Sequence, residues 1–225
     1  MKSVSISIPA YNNEKTIKLL VEESLEVLSG VVNDYEVVVI DDGSRDSTAE
    51  IIDSLKSEKV KVYHHKINEG FGKTIREVFF LPNKELIFFI PGDAQFPPSE
   101  LLKFLTLCEK YDYILGVRKN RQDSIVRIII SKIYNFLISI LAGKRVKDVN
   151  SIALLRKSVI QNFEIRSKGA FVHAEIFLKL VKGEFAIGEV EVNHRPRLYG
   201  KSGALRLKVI FSTLRDFLLY IIGRL

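Results

Sequence analysis

The 225-residue chain holds a single cysteine, Cys108, so an internal disulfide framework is excluded. Its apolar, helical surroundings mark a plain buried thiol, which suits a reducing compartment. No clean membrane span is expected, because one needs about 20 largely uncharged residues. Both long apolar stretches, 124–142 and 204–222, carry basic side chains. The opening MKSVSISIPA is too short and strand-like for a secretory signal, and no transmembrane tail is expected after Leu225. Repeats, low-complexity tracts and obvious linkers are missing, so one domain over 1–225 is expected. There is no GxGxxG after the first strand-like run and no GxxxxGK[ST] anywhere. That argues against a dinucleotide dehydrogenase and a P-loop NTPase.

What is present is unevenly charged. The net charge is +7, yet residues 1–100 hold 11 Lys/Arg against 17 Asp/Glu, and the remainder holds 23 against 10. A basic half points to an anionic partner: nucleic acid, a phosphate-bearing ligand or a membrane surface. The plainer alternative is an ordinary solvated surface. No recognised nucleic-acid module or aromatic–basic stacking surface is found, so nucleic acid is not an expected partner.

The first 116 residues alternate between two kinds of segment. Runs at 4–8, 35–40, 60–64, 85–90 and 112–117 are β-branched or aromatic and nearly continuously apolar, as strands covered on both faces are. Helical patterns at 14–28, 47–55 and 97–109 lie between them. Ser47 with Glu50 predicts a capping box, and two prolines with Ser99 open the third helix. Alternating β and α units imply a doubly wound, mostly parallel sheet. The second half predicts a long greasy helix at 124–142, a short strand at 151–155, a helix at 171–182 and a strand at 184–193. A basic loop, HRPRLYGKSG, and a last helix from 204 to 222 follow. The 124–142 helix is too greasy for an ordinary surface and the last helix has the composition of an interfacial helix, with packing of both on the core or in a homodimer as the alternative.

Open α/β sheets bind ligands outside the carboxyl ends of their strands, and four distinctive clusters fall there. They are Pro9-Ala10-Tyr11-Asn12-Asn13-Glu14, Asp41-Asp42-Gly43-Ser44, Asn68-Glu69-Gly70-Phe71-Gly72-Lys73 and Gly92-Asp93-Ala94-Gln95. Singly each reads as a turn or a helix start; together at one sheet edge they read as a site.

In order and spacing, SISIPAYNNEKTI, EVVVIDDGSRDST, NEGFGKTI and PGDAQFPPSEL resemble the family-2 inverting glycosyltransferases with a GT-A fold. The likeness is to the branch containing dolichyl-phosphate mannose synthase and other polyprenyl-phosphate glycosyltransferases. GVRKNR, Arg127 with Ser131, and VEVNHRPRLYGKSG extend it over almost the whole chain. The resemblance implies a GT-A α/β domain with C-terminal amphipathic helices. Residues 1–116 would form the nucleotide-sugar-binding half and 117–225 the acceptor- and membrane-facing half. Pro9, Ala10, Tyr11, Glu14 and Asp41 would hold base and ribose, with Asp42, Gly43 and Ser44 shaping the adjoining wall. Asp93, Ala94 and Gln95 would border the diphosphate, with Asp93 and Gln95 as ligands of Mg²⁺ or Mn²⁺. Pro91 stands where the family's first metal carboxylate would be, so cation binding without nucleotide should be weak. Arg195, Arg197 and Lys201 would meet the donor diphosphate, with Gly200 and Gly203 allowing that loop to move. Arg118, Arg127 and Ser131 would take the acceptor phosphate, Arg118 and Asp93 being the catalytic pair.

The implied activity is inverting transfer of a hexose or N-acetylhexosamine from a UDP- or GDP-sugar to a polyprenyl phosphate. The implied location is peripheral, on the cytoplasmic face of the membrane. Two alternatives stay open. One is a family-2 enzyme acting on a saccharide or protein hydroxyl, for which Asp148 and Glu175 are the candidate bases. The other is a non-catalytic nucleotide-sugar-binding protein. Where the family usually shows Ser-Gly-aromatic-basic after Asp148, this chain has Ser151-Ile152-Ala153-Leu154, which leaves the sugar open.

Overall fold

The computed structural model describes residues 2–121, 123–197, 199 and 207–225. Its elements run β1 (Ser3–Ala10), α1 (Ile17–Ser29), β2 (Asp34–Asp41), α2 (Thr48–Ser54), β3 (Val60–His64), α3 (Phe71–Phe80) and β4 (Leu86–Phe89). A 3-10 turn at Pro98–Glu100 leads into α4 (Leu101–Leu105). Then come β5 (Tyr113–Lys119), α5 (Ile125–Ala142), β6 (Ala153–Arg156), α6 (Lys157–Ile160), α7 (Val172–Lys182), β7 (Ile187–Asn193) and α8 (Leu207–Ile221). The seven strands form one sheet in the order β3-β2-β1-β4-β6-β5-β7. Every neighbouring pair is parallel except those made by β6, which runs antiparallel to both β4 and β5. The carboxyl ends of β1, β2, β3 and β4 therefore share one edge, and β5 and β7 run side by side on the far side of β6.

The continuous apolar runs have the expected cause. Successive strand residues face opposite sides: Val37 and Val39 pack with Ile17 and Leu20 of α1 and Phe104 of α4, while Val38 and Ile40 pack with Ile75 and Phe79 of α3 and Phe177 of α7. Both faces are covered, so apolar side chains predominate on each, with Ser5, Ser7 and Glu36 as buried polar exceptions.

Three local readings change. The capping box at Ser47 does not form, since that side chain makes no capping bond. Asp46 Oδ1 instead accepts from the Thr48 amide (3.0 Å) and hydroxyl (2.5 Å), and Glu14 Oε2 accepts from the Ser47 amide (3.2 Å). The helix expected over 97–109 ends at Leu105 and continues as turns. Residues 71–80 form a helix that the periodicity did not single out. Residues 204–206 lie outside the described residues, and the last helix is described from Leu207.

α5 is unlike the other helices. Ser124 caps it by accepting from the Arg127 amide (3.4 Å), and Gly143 ends it at φ +60°. Asn135 fastens one face to the body, donating to the Lys147 carbonyl (2.8 Å) and accepting from the Val149 amide (3.1 Å). The opposite face, with Ile125, Val126, Ile129, Ile133, Phe136 and Ile140, is exposed. With 18 residues and a mean hydropathy of 1.8, α5 is long and apolar enough to cross a membrane by length and composition, contrary to the expectation that no stretch qualifies. α8 exposes a second apolar stripe through Phe211, Leu214, Leu218 and Ile222. Its buried Asp216 accepts from the Lys168 and Gly169 amides (3.1 and 3.0 Å) and holds the helix to the body.

Candidate active site

The loops that leave β1, β2 and β4 are bonded to one another rather than merely adjacent. Ser44 Oγ donates to Asp41 Oδ1 (2.5 Å) and accepts from the Asn12 amide (3.0 Å). Asn12 Oδ1 accepts from the Arg45 amide (2.8 Å), and the Thr48 hydroxyl accepts from the Asn13 amide (2.8 Å). The Gly92 amide donates to the Pro9 carbonyl (3.2 Å), while its own carbonyl accepts from the Thr16 hydroxyl (2.7 Å). A Cβ at Gly92 would stand 2.7 Å from the Pro9 carbonyl oxygen, so only glycine permits this approach. Gly43 is similarly obligatory, with φ +67° and the Ile67 backbone 2.5 Å from where a Cβ would sit. Tyr11 stands half-exposed above this web, and Ala10 is buried beneath it.

The paired aspartates at the end of β2 are both buried but serve different ends. Asp41 Oδ2 meets His64 Nδ1 at 3.1 Å, and His64 Nε2 reaches Asp53 at 2.9 Å. Asp42 accepts from the Glu69 amide (2.8 Å), the Gly70 amide (3.1 Å) and Asn68 Nδ2 (2.9 Å), fixing the entry to α3. Its Oδ1 also meets His65 Nδ1 (2.7 Å), whose Nε2 reaches Glu77 (2.5 Å). Burial favours neutral rings at both histidines. Hydrogen bonds to Asp53 and Asp41, and to Asp42 and Glu77, outweigh it and raise both above the usual histidine range. Neither histidine carried a role in the sequence reading. Asp42 thus anchors the loop that enters α3, and Glu14 is engaged as a cap on α2.

At the mouth of β4, Ala94 takes φ +56°, which aims the side chains on either side of it at a common point. Asp93 Oδ1 accepts from the Gln95 amide (3.1 Å), and Gln95 Nε2 donates to the Arg195 carbonyl (3.3 Å). Asp93 Oδ2 and Gln95 Oε1, the latter at 3.0 Å, both accept from one nitrogen, Nη2 of Arg197. Among the described residues no group of three or more His, Cys, Asp or Glu could hold a metal ion. Two oxygen donors converging on one positive nitrogen nevertheless fit the partial donor set of a hard cation that draws its other ligands from a diphosphate and water. Arg195 engages Gln95 through its backbone amide (2.8 Å) and lines a shallow hollow with Glu23, Glu26 and Pro98. Lys201, Gly200 and Gly203 lie outside the described residues. Lys15 Nζ sits 5.2 Å from the Tyr199 ring centroid, so the C-terminal loop reaches back over the β1 loop.

The basic residues gather beside this point. Arg118, at the end of β5, makes a two-pronged pair with buried Asp148 (2.6 and 2.7 Å) and lies 3.7 Å from Asp123. Arg127 Nη1 donates to Asp123 Oδ1 (2.6 Å). Arg121 donates to Asp123 Oδ2 (2.8 and 3.0 Å) and, through Nη1, to Ser131 Oγ (2.9 Å). Three guanidiniums thus surround a single carboxylate whose side chain is only 3 % exposed. The sequence reading placed Arg118, Arg127 and Ser131 here but gave no role to Arg121 or Asp123. The signal was available, since Arg121 and Arg127 stand two before and four after Asp123. Burial, opposed by Asp123 and reinforced by the smaller repulsions from Arg118, Arg121 and Arg197, lowers Arg127 from its ordinary value. Asp93 acts in turn on the charges of Arg118 and His194. These mutual influences place the Asp93 corner and the arginine cluster in one neighbourhood.

The remaining candidates are occupied. Asp148 is taken by Arg118. Glu175 is fully buried and accepts from the Arg166 and Ser167 amides, the Ser167 hydroxyl and Lys179.

An open, mostly parallel sheet with its loops gathered at the carboxyl edge is the architecture of GT-A glycosyltransferases. Crystal structures of glucosyl-3-phosphoglycerate synthase from Mycobacterium tuberculosis match it with a TM-score of 0.73. One holds Mn²⁺, uridine diphosphate and phosphoglyceric acid (16 % identity, 99 % of this chain and 78 % of that one), and another holds Mg²⁺ and uridine diphosphate (15 %, 99 % and 79 %). The chain belongs to glycosyl transferase family 2, whose family model matches residues 5–166. Similar proteins include undecaprenyl-phosphate 4-deoxy-4-formamido-L-arabinose transferases. That of Photorhabdus laumondii is 30 % identical over 218 residues and that of Yersinia enterocolitica 28 % over 220. In each case the match takes in 93 % of this chain and 65 % of the relative, so the chain spans just under two thirds of their length.

Proposed function

We propose that the protein transfers a sugar from a nucleoside diphosphate sugar to a polyprenyl phosphate, with inversion at the anomeric carbon. The observation that supports this best is the arginine cluster beside Asp93. Arg118, Arg121 and Arg127 bring three positive charges against the two negative charges of Asp123 and Asp148, which leaves a surplus suited to a phosphate monoester. Ser131, accepting from Arg121, keeps its own proton for such a ligand.

The chemistry needs little else from the chain. A phosphomonoester with a second pKa of about 6 is already largely anionic at neutral pH, so its oxygen attacks without a general base. A hydroxyl acceptor needs one, and both carboxylates considered for that role, Asp148 and Glu175, are buried in ion pairs. The new C–O bond forms on the face opposite the diphosphate, which departs with the electron pair of the broken C–O bond. The β1 and β2 loops hold the nucleoside, with buried Asp41 fixing the shape of the rim through Ser44 and His64 and with Tyr11 and Gly43 forming flat walls. Arg197 is placed to meet the leaving diphosphate, a role the sequence also offers to Lys201. Asp93 and Gln95 would hold a Mg²⁺ or Mn²⁺ ion, which supplies further neutralisation of that leaving group.

The exposed faces of α5 and α8 are read as a membrane-contacting surface on the cytoplasmic side. Apolar side chains sit there beside exposed Lys132, Lys144, Arg145, Arg215 and Arg224, a composition that suits an anionic lipid interface.

The test is to incubate the protein with UDP- and GDP-linked hexoses, N-acetylhexosamines and a 4-amino-4-deoxypentose derivative, plus a short polyprenyl phosphate, and to weigh the lipid. A mass gain of one sugar residue is expected with phosphate as acceptor and none with the matching alcohol. Transfer to the alcohol or to saccharides alone favours the hydroxyl reading. Donor binding without hydrolysis or transfer favours the binding protein.

A further inference from the structure

We infer that Arg197 is a built-in counter-cation that occupies the divalent-cation position of the ligand-free protein, so that cation and donor enter by exchange with it and not by addition. The inference rests on the proposed donor site and concerns how that site is kept before the donor arrives.

Four observations carry it. The two oxygens best placed for a hard cation, Asp93 Oδ2 and Gln95 Oε1, end on the same guanidinium nitrogen. The geometry is built, since Ala94 takes a left-handed conformation (φ +56°) that residues other than glycine rarely adopt. Gln95 is held in the orientation that turns its oxygen to Arg197, because its amide nitrogen is occupied by the Arg195 carbonyl. Finally, Arg197 already repels Arg127 of the neighbouring cluster, so it has an electrostatic reason to accept a new anionic partner.

The consequence follows from like charges. A guanidinium and a divalent ion cannot share two oxygens a few ångströms apart, so a bare cation must expel Arg197 without offering it another anion. A nucleoside diphosphate offers one. Its phosphate oxygens can take Arg197 while completing the shell of the ion left on Asp93 and Gln95. The absent first carboxylate, Pro91, makes the guanidinium the better occupant when no diphosphate is present. Apparent affinity for the cation alone is then reduced by the fraction of molecules in which Arg197 has left. For a state in which about one to ten per cent are open, that is roughly 10- to 100-fold.

The experiment is a Mn²⁺ titration of the full chain, followed by the electron paramagnetic resonance signal of free ion, with and without uridine diphosphate. Arg197→Gln removes the cation and Arg197→Lys retains a charge without the fork. Arg197 is a quarter exposed, and circular dichroism melting checks that both variants fold. Without nucleotide, Arg197→Gln should bind Mn²⁺ about tenfold or more tightly than the parent, with Arg197→Lys in between, and Asp93→Asn placed on Arg197→Gln should abolish the gain. Equal or weaker Mn²⁺ binding by Arg197→Gln overturns the inference, as does a gain that survives Asp93→Asn. Separately, the parent's binding of uridine diphosphate reports on the donor site. Nucleotide binding with no gain in Arg197→Gln sinks only the exchange, whereas failure to bind any nucleoside diphosphate sinks the donor reading.

Discussion

The two halves of the molecule treat charge in opposite ways. At the carboxyl edge of β1 to β4 the polar groups saturate one another. Asp41, Asp42 and Asp46 accept from amides, hydroxyls and imidazoles, and His64 and His65 each bridge two carboxylates. Beyond β5 the groups are left in excess. Three arginines share Asp123, and the buried Nδ1 atoms of His173 and His194 have no partner. Saturated groups fix loop shape, and a rigid ligand such as a planar base can be recognised by a fixed shape. Unsaturated cations hold back binding capacity, and an anionic headgroup needs that capacity.

The largest test of this contrast lies at Arg118, the one cluster member that is both saturated and at the site. Truncating it with Arg118→Ala strands Asp148 in a buried position, for which about 3–5 kcal/mol of stability should be lost in urea denaturation. Transfer to polyprenyl phosphate should collapse with it. Pairing Arg118→Met with Asp148→Leu removes the stranded charge, so stability should return while transfer does not. If transfer also returns, Arg118 is a structural cation and the contrast fails at its centre.

His173 gives the next effect. It lies on α7 against Phe89 (5.0 Å between ring centroids) and Phe79 (6.1 Å), and burial alone pushes its pKa down to about 4. The unfolded ring takes a proton near 6.5 and the folded one does not until about 4, so stability falls as pH drops through that interval. The loss amounts to roughly 3 kcal/mol. His173→Phe, which cannot titrate, should flatten that acid limb in melts between pH 7 and 4.

Asp42 and Arg121 sharpen the contrast from either side. Asp42→Ala leaves the Glu69 and Gly70 amides without their acceptor, and Asn68 Nδ2 with only the backbone carbonyl of residue 42. It should cost about 2 kcal/mol of stability, with nucleotide affinity falling only through disorder of the α3 entry. Arg121→Ala should leave the melting point within a degree or two and raise the KM for polyprenyl phosphate about tenfold, one charge-assisted contact's worth. The reverse pattern, a stable Asp42 variant and an unstable Arg121 variant, would erase the distinction.

How much of this was legible depends on the range of the interactions. The strands and the four loop clusters were legible because apolar runs and Gly, Asp and Asn turns are local signals. β6 was legible as a strand at SIALL, but its antiparallel direction depends on how the chain returns past α5, which no local pattern encodes. The Ser47 capping box failed because Glu14, from 33 residues away, takes the Ser47 amide that Glu50 would have accepted from, while Asp46 caps the helix one position earlier through the Thr48 amide. Arg121 escaped notice because GVRKNR reads as a basic surface turn until Asp123 and Ser131 are placed beside it. Arg197 was read as a donor contact, and its hold on Asp93 and Gln95 spans more than 100 residues.

The smallest expected effect distinguishes the saturated histidines from unsaturated His173 by sign. His64 and His65 have folded pKa values raised by their carboxylate partners against the opposing effect of burial. The stabilisation they give is therefore complete below about 6.5, the unfolded value, and is lost as pH rises through their raised folded values. Melting temperature should then decline on the alkaline side of neutrality, and His64→Gln with His65→Gln should remove that decline while leaving the acid limb of His173 intact. A parent protein that melts at the same temperature from neutral to mildly alkaline pH would mean that the two imidazoles hold Asp41 and Asp42 as neutral donors. The donor rim would then keep its shape by hydrogen bonding alone, without the ion pairs that set it apart from the arginine side.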